Sequence, residues 1–331
     1  MAGTHWCQGM GMRRLSLLFG LISLLLFACG GRVSGHGNGD PAQATPVADP
    51  SSSPPSERAA VATTDPSDVW LAFDTWGSGA GGIYVMRADG SALRKLDLGG
   101  PAGAPAFSAN GQALAYAGSG GIWVRDLTTG LSRQLTHGPD SIPAWSPDGK
   151  LLAFTRDIDI WIVAADGTGE RTFIKGPPPG QAWYANYGHP VFTHDGGSLI
   201  FDRREALEIG SIDGSEHHVI LAAGGSAGPF ATVSPDGASI AVASDCGLRV
   251  AALSAAATMC TMGTELDTAS FDVSRPSWSR AGVLAYASSI YTLSTVPATG
   301  GPPTKLLDTK QSLGGVYIGE VAWTPPGTKL P

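Results

Sequence analysis

Short runs of alternating apolar and polar residues, each interrupted by a Ser/Thr-x-x-Gly-like turn, recur six times along the chain. The copies are PAFSANGQALAY from Pro105, PAWSPDGKLLAF from Pro143, PVFTHDGGSLIF from Pro190, ATVSPDGASIAV from Ala231, PSWSRAGVLAY from Pro276 and VAWTPPGTKLP from Val321. Their aligned hydroxyl residues Ser108, Ser146, Thr193, Ser234, Ser279 and Thr324 stand 38, 47, 41, 45 and 45 residues apart. A period of two sends successive side chains to opposite faces, so each run reads as a half-buried strand. Within residues 104–135, APAF is an inner strand, ALAYAG a second, GIWVRDL a third and SRQLT an outer strand, with SANG and TTG as turns. In SPDG, Pro presets φ, Asp bonds its own backbone and Gly accepts the positive φ that closes the turn. Asp148 and Asp236 are therefore expected as turn residues rather than metal ligands, since no oxygen-rich loop surrounds them.

Repeats of about 40 to 50 residues with four short strands mark β-propeller blades, which bury both sheet faces only when neighbours stack on them. Residues 69–98 supply a second, third and outer strand (VWLAFDT, GGIYVMRADG, SALRKLDL) with no inner strand before them, and residues 321–324 supply an inner strand with its turn. One C-terminal strand and three N-terminal strands make one shared blade. The expected fold is all-β, a six-bladed propeller over residues 69–331 whose ring closes by this 1+3 arrangement and so leaves no open sheet edge.

The N-terminus follows a different pattern. Met12-Arg13-Arg14 is a basic segment, and residues 15–28 form an apolar run of 14, short for a bilayer span and suited to a signal peptide. The run ends in Leu26-Phe27-Ala28-Cys29-Gly30, which resembles a bacterial lipobox and implies lipidation of Cys29. An ordinary signal peptide with an incidental cysteine is the alternative. Residues 1–11, with Cys7, then read as an over-called start or a removed extension. Residues 29–68 are rich in Gly, Pro, Ser and Ala and nearly lack large apolar residues, so they read as a disordered tether in which His36 is solvated.

Composition sharpens this picture in two ways. The 46 Gly and 24 Pro among 331 residues suit a turn-dense all-β chain. The net charge of −7 argues against a nucleic-acid or anionic-membrane footprint, which needs clustered Lys and Arg.

The pattern P-x-W-S-P-D-G-x-x-[IL]-A-[FY], followed by [DN]-I-[WY]-[VI] and A-D-G-[ST], resembles the WD40-like repeat of TolB-type propellers. PAWSPDGKLLAFTRDIDIWIVAADG from Pro143 fits nearly position for position, and IYVMRADGS from Ile83 fits the second half. The resemblance covers residues 69–331 and implies the fold. It implies little about function, because the same repeat occurs in periplasmic scaffolds and in domains joined to peptidases. The family's namesake carries a separate N-terminal α/β domain where this chain has a tether, so its envelope role is not implied.

Candidate chemistry is sparse. GGSAG at residues 224–228 matches G-x-S-x-G, but a nucleophile elbow needs a strand before and a helix after, and this stretch lies between two strands. No Cys-x-x-Cys or His-x-x-x-His spacing signals zinc. His194, His217 and His218 read as structural or solvated surface residues. If GLRVAAL and ATMCTMG form a hairpin turning near residues 254–256, paired positions sum to about 506 and Cys246 faces Cys260. In an exported chain this suggests a disulfide, with two free thiols as the alternative.

Propellers bind through loops at the channel mouth. The longest such loop, residues 176–189, carries Trp183, Tyr184, Tyr187 and His189, and topology places Trp76, Arg156, Asp157, Arg203, Arg204, Phe230 and Tyr317 nearby. Aromatics with Arg at a concave mouth suit a peptide or sugar ligand, whereas aromatics folded back would form a lid over the ring. The expected function is a non-catalytic, monomeric, lipid-anchored propeller without cofactor or metal. It would bind a protein or peptide of the cell envelope and touch the membrane only through its anchor. The alternative is a propeller lyase or glycosidase acting on an extracytoplasmic glycan or peptide, with Asp157, Glu205, His189 and Asp245 as possible parts. Two carboxylates across the channel with a convergent His would favour that alternative.

Overall fold

A computed structural model describes residues 69–77, 81–176, 188–203, 206–222, 230–254, 257–258, 260–268 and 275–330. The sequence-derived candidates Cys29, Trp183, Tyr184, Tyr187, Arg204 and Glu205 lie outside the described residues.

The first strands are β1 (Trp70–Trp76), β2 (Gly82–Arg87) and β3 (Arg94–Lys95). Next come β4 (Ala102–Phe107), β5 (Ala113–Gly118), β6 (Gly121–Asp126) and β7 (Ser132–Gln134). They are followed by β8 (Asp140–Trp145), β9 (Leu151–Arg156), β10 (Asp159–Ala164) and β11 (Arg171–Ile174). The fourth group is β12 (Gly188–Phe192), β13 (Ser198–Arg203), β14 (Ala206–Ser211) and β15 (His217–Ala222). The fifth is β16 (Phe230–Val233), β17 (Ser239–Ser244), β18 (Gly247–Ala252), the short β19 (Ala257–Thr258) and β20 (Thr264–Asp267). Last are β21 (Ser277–Trp278), β22 (Val283–Ser289), β23 (Thr292–Pro297), β24 (Thr304–Asp308), a single turn of helix (Thr309–Ser312) and β25 (Tyr317–Trp323).

These strands form six antiparallel blades of a β-propeller. β25 pairs with β1, giving a shared blade ordered β25-β1-β2-β3, and the other five blades follow chain order. β19 leaves the fifth blade and adds in parallel to β15 of the fourth. The core is six apolar clusters, each built from two neighbouring blades; one of them joins Leu71 and Phe73 of the shared blade to Ala285 and Leu293 of the sixth. Phe73, Phe154, Phe201 and Tyr286 are wholly buried there, each stabilising by about 1.5–3 kcal/mol relative to an exposed side chain.

The turns behave as their chemistry requires. Ser146 donates to Asp148 Oδ1 at 2.7 Å and accepts from Leu151 N at 2.9 Å, while Gly149 takes φ +72°. The same hydroxyl-to-carboxylate bond joins Thr193 to Asp195 and Ser234 to Asp236, and it holds these aspartates below the ordinary carboxylate range. These turns define the lower face. The β1–β2 type hairpin ends and the interblade connections define the upper face.

Candidate functional site

Immediately before each inner-strand motif, which opens with Pro in four repeats and with Ala231 or Val321 in the other two, stands one residue at the upper end of the channel. In chain order these are Ala104, Ile142, His189, Phe230, Arg275 and Glu320. Ala104, Ile142 and His189 hold φ of +49°, +52° and +46°, and strand pairing shifts register at each of them. A bulge re-aims a side chain at a local cost, here beside a proline that already restricts the preceding residue. Because three blades share it, the distortion belongs to the repeat and carries His189 into the channel as one instance.

The charged members of this ring converge. His189 Nδ1 lies 3.0 Å from Asp202 Oδ1, and its Nε2 lies 3.7 Å from Glu320 on the blade opposite. Arg275 places Nε 3.3 Å from Glu320 Oε2 and donates from Nη1 to the Pro190 carbonyl at 3.1 Å. The His189 ring meets Phe230 edge-on at 4.4 Å. Two aspartates stand behind the ring, at the fifth position of their second strands. Burial raises the Asp202 carboxyl, against the pull of His189. Burial, reinforced by the Glu320 charge, pushes Asp74 up to about 7, while the amides of Ala104 and Glu320 oppose the shift. Asp74 wedges between two glycines: a Cβ on Gly103 or Gly319 would stand closer than 3.0 Å to its oxygens. Asp74 Oδ1, Asp202 Oδ2 and the hydroxyl of Thr155 are buried without a hydrogen-bond partner.

The upper rim of the shared blade is aromatic. Trp76 is 55% exposed and packs on Tyr317 at 4.5 Å, Tyr317 packs on Tyr291 at 5.3 Å, and the Lys310 ammonium sits 4.2 Å over Tyr291. A hydrogen bond with Tyr317 raises the Tyr291 hydroxyl.

The other candidates have separate surroundings. Arg156 grips Asp140 with Nε at 2.5 Å and Nη2 at 2.9 Å, reaches Glu170 at 2.5 Å and covers the Trp161 ring at 4.5 Å. Thr136 donates to the same Asp140, and the bonds of Arg156 to Asp140 and Glu170 raise its guanidinium further. Asp157 is exposed in a turn at φ +55°. Arg203 pairs with Glu208 at 3.4 Å. His217, expected as solvated, is exposed yet paired with Glu208 and stacked on Phe201 at 5.7 Å.

Cys246 and Cys260 are bonded, with Cα atoms 5.2 Å apart. The expected hairpin is not the route to this bond. β18 pairs with β20 as Arg249↔Glu265 and Val250↔Thr264, and the intervening Ala257–Thr258 crosses to β15. Asp245 lies beside the disulfide, whose bonded sulfurs offer no thiolate to a metal.

Sequence reasoning singled out His189, Phe230, Trp76 and Tyr317 and missed Asp74, Asp202, Glu320, Arg275 and Tyr291. A positional signal existed. The fifth residue of the second strand is Ala117, Ala243 and Ala287 in three repeats, Thr155 in one, and Asp74 and Asp202 in two.

The ring, the six interblade cores and the repeat turns agree with what the chain is similar to. Residues 65–282 match the TolB beta propeller domain family, PD40. No curated protein matches the sequence. Among solved structures, a propeller in the crystal structure of a nidogen/laminin complex is 12% identical with TM-score 0.58, covering 77% of this chain and 98% of that one. A putative TolB from Agrobacterium tumefaciens is 15% identical with TM-score 0.54, covering 78% of this chain and 99% of that one. At these identities the likeness is one of fold, and the match over more than half of the chain places this protein in the TolB beta-propeller family.

Proposed function

We propose that the protein is an exported, lipid-anchored, non-catalytic propeller that binds a protein or peptide of the cell envelope through its upper face. The observation that carries this reading is the aromatic row Trp76–Tyr317–Tyr291 beside the channel mouth, exposed at Trp76 and half-buried at the two tyrosines. Exposed Trp and Tyr bury large area at modest entropy cost and dominate interface energetics. A propeller occurs within the nidogen/laminin complex, which adds support by analogy of fold.

Crosslinking capture from envelope extracts tests the reading by comparing the protein with a Trp76→Ala, Tyr317→Ala double variant. Loss of the captured partner at an unchanged melting temperature is expected, and identical recovery removes this surface from the site. Replacing Cys29 by Ser is expected to move the protein into the soluble fraction, and retention on membranes refutes the anchor.

One observation favours a second reading as a lyase or glycosidase. His189 bridges Asp202 and Glu320, and Asp74 stays partly protonated near neutral pH, a combination suited to proton transfer. Turnover of an envelope glycan or peptide that His189→Gln abolishes would establish this reading in place of the first.

A further inference from the structure

A pocket of about 620 Å³ opens at the upper rim between the shared blade and the second blade. Its walls are largely backbone, with Gly77, Gly82, Gly103 and Gly118 among them, so few side chains obstruct it. Two side chains give it chemistry. Asp74 and Trp76 lie two residues apart on β1 and so share one face of the strand. Asp74 is recessed with Oδ1 unpartnered, and Trp76 is exposed where the strand ends.

A carboxylate taken out of water without a counter-charge is costly, and the cost persists unless something arrives to meet it. Among the described residues no cation pairs with Asp74. The pocket does contain Lys95, but its ammonium donates to the Gly81 carbonyl at 2.7 Å and lies over Gly82. Arg275 is committed to Glu320 and the Pro190 carbonyl. A single metal ion fits poorly, because no three of Asp74, Asp202, Glu320 and His189 bring ligating atoms within 4.8 Å of one another, whereas a hard cation gathers its oxygens at about 2.0–2.6 Å. A guanidinium or ammonium on a flexible stem reaches a single recessed carboxylate, and its charge is favoured by an adjacent indole face.

We propose that this pocket receives a basic side chain of the partner, an arginine or lysine, which pairs with Asp74 at the base and packs against Trp76 at the lip. The proposal rests on the reading of the upper face as a partner surface and names what the partner presents to it.

Calorimetric titration of the purified full chain with N-acetyl-Gly-Arg-Gly-amide tests it, beside the lysine peptide and an otherwise identical citrulline peptide. Saturable binding of a basic peptide at least tenfold tighter than citrulline is expected. Asp74→Asn should abolish that preference, and Trp76→Ala should weaken binding several-fold, both without lowering the melting temperature. Equal affinity for the charged and citrulline peptides, no binding of either basic peptide, or an Asp74→Asn variant that binds as the parent does would each overturn the proposal. So would one equivalent of Ca²⁺, added alone, binding in an Asp74-dependent way and blocking the peptide, since the carboxylate would then serve a metal. The two readings fail separately. If the double variant loses its partner while basic peptides are ignored, the upper face stands and the pocket assignment falls. If basic peptides bind while partner capture is unaffected, the reverse holds.

Discussion

Asp140 and Asp74 are both carboxylates withdrawn from solvent at the upper end of the ring, and the fold treats them in opposite ways. Asp140 receives both arms of Arg156 and the Thr136 hydroxyl, and Arg156 is itself held by Glu170 and the Trp161 face. Asp74 is flanked by glycines, faces the like charge of Glu320 and keeps one oxygen unpartnered. The first arrangement satisfies every charge internally and reads as architecture. The second leaves charge unspent at the base of a pocket, which stability alone does not favour. Arg156, attractive in the sequence as an arginine at the channel mouth, is thereby committed to the fold, while the unremarked Asp74 is available for chemistry.

The largest perturbation of this contrast removes the strand that places Glu320 beside Asp74. Deleting residues 317–331 takes away β25, exposes the edge of β1 and strips the Ile318 and Val321 side chains from the core between the shared and sixth blades. Loss of the cooperative thermal transition is expected in circular dichroism; an unchanged midpoint would mean that β25 does not hold the shared blade. Next in size, Arg156→Ala leaves Asp140 buried with no counter-charge, at a cost of about 3–5 kcal/mol in denaturant unfolding. A change under about 0.5 kcal/mol would make Asp140 as unpaired in practice as Asp74 and end the comparison. The disulfide is a control remote from both carboxylates. Replacing Cys246 and Cys260 by Ser should cost about 2–3 kcal/mol through the unfolded chain, with the slope in denaturant showing any change in the unfolded state.

The fold was legible because it is written locally and six times over. Hydroxyl, turn and apolar alternation specify a blade within some 45 residues, and the incomplete units at the two ends specify the pairing of β25 with β1. The site is not local. His189 meets Glu320 from the opposite blade, and Arg275 reaches the carbonyl of Pro190 across the fifth, contacts between positions 131 and 85 residues apart. Such convergence appears in the sequence only as polar residues at positions where other repeats carry Ala or Ile, and Asp74 inside WLAFDTW passed as ordinary strand alternation. The cysteines show the intermediate case. The correct pair was reached from an incorrect hairpin, because proximity survives a change of register when the intervening segment loops out to the neighbouring blade.

The most discriminating effect is one that appears only as pH is changed. Asp74 has a pKa of about 7 in the folded protein and about 3.9 in the unfolded chain, so the folded state binds the extra proton. Its contribution to stability is present in full below about pH 4 and is lost as pH rises through 7. Asp74→Asn removes this dependence while keeping shape. Relative to the parent, the variant should be nearly unchanged at pH 4 and more stable at pH 8, since an amide replaces a desolvated charge; the gap of about three pKa units sets an upper bound of about 4 kcal/mol on the difference. Thermal unfolding at the two pH values measures it directly. A residue kept for binding is expected to weaken the fold that holds it, so a variant that gains stability at pH 8 and loses the arginine peptide fits a ligand-directed carboxylate. A variant less stable than the parent at pH 8 would show that the Ala104 and Glu320 amides already satisfy Asp74, and the distinction from Asp140 would disappear.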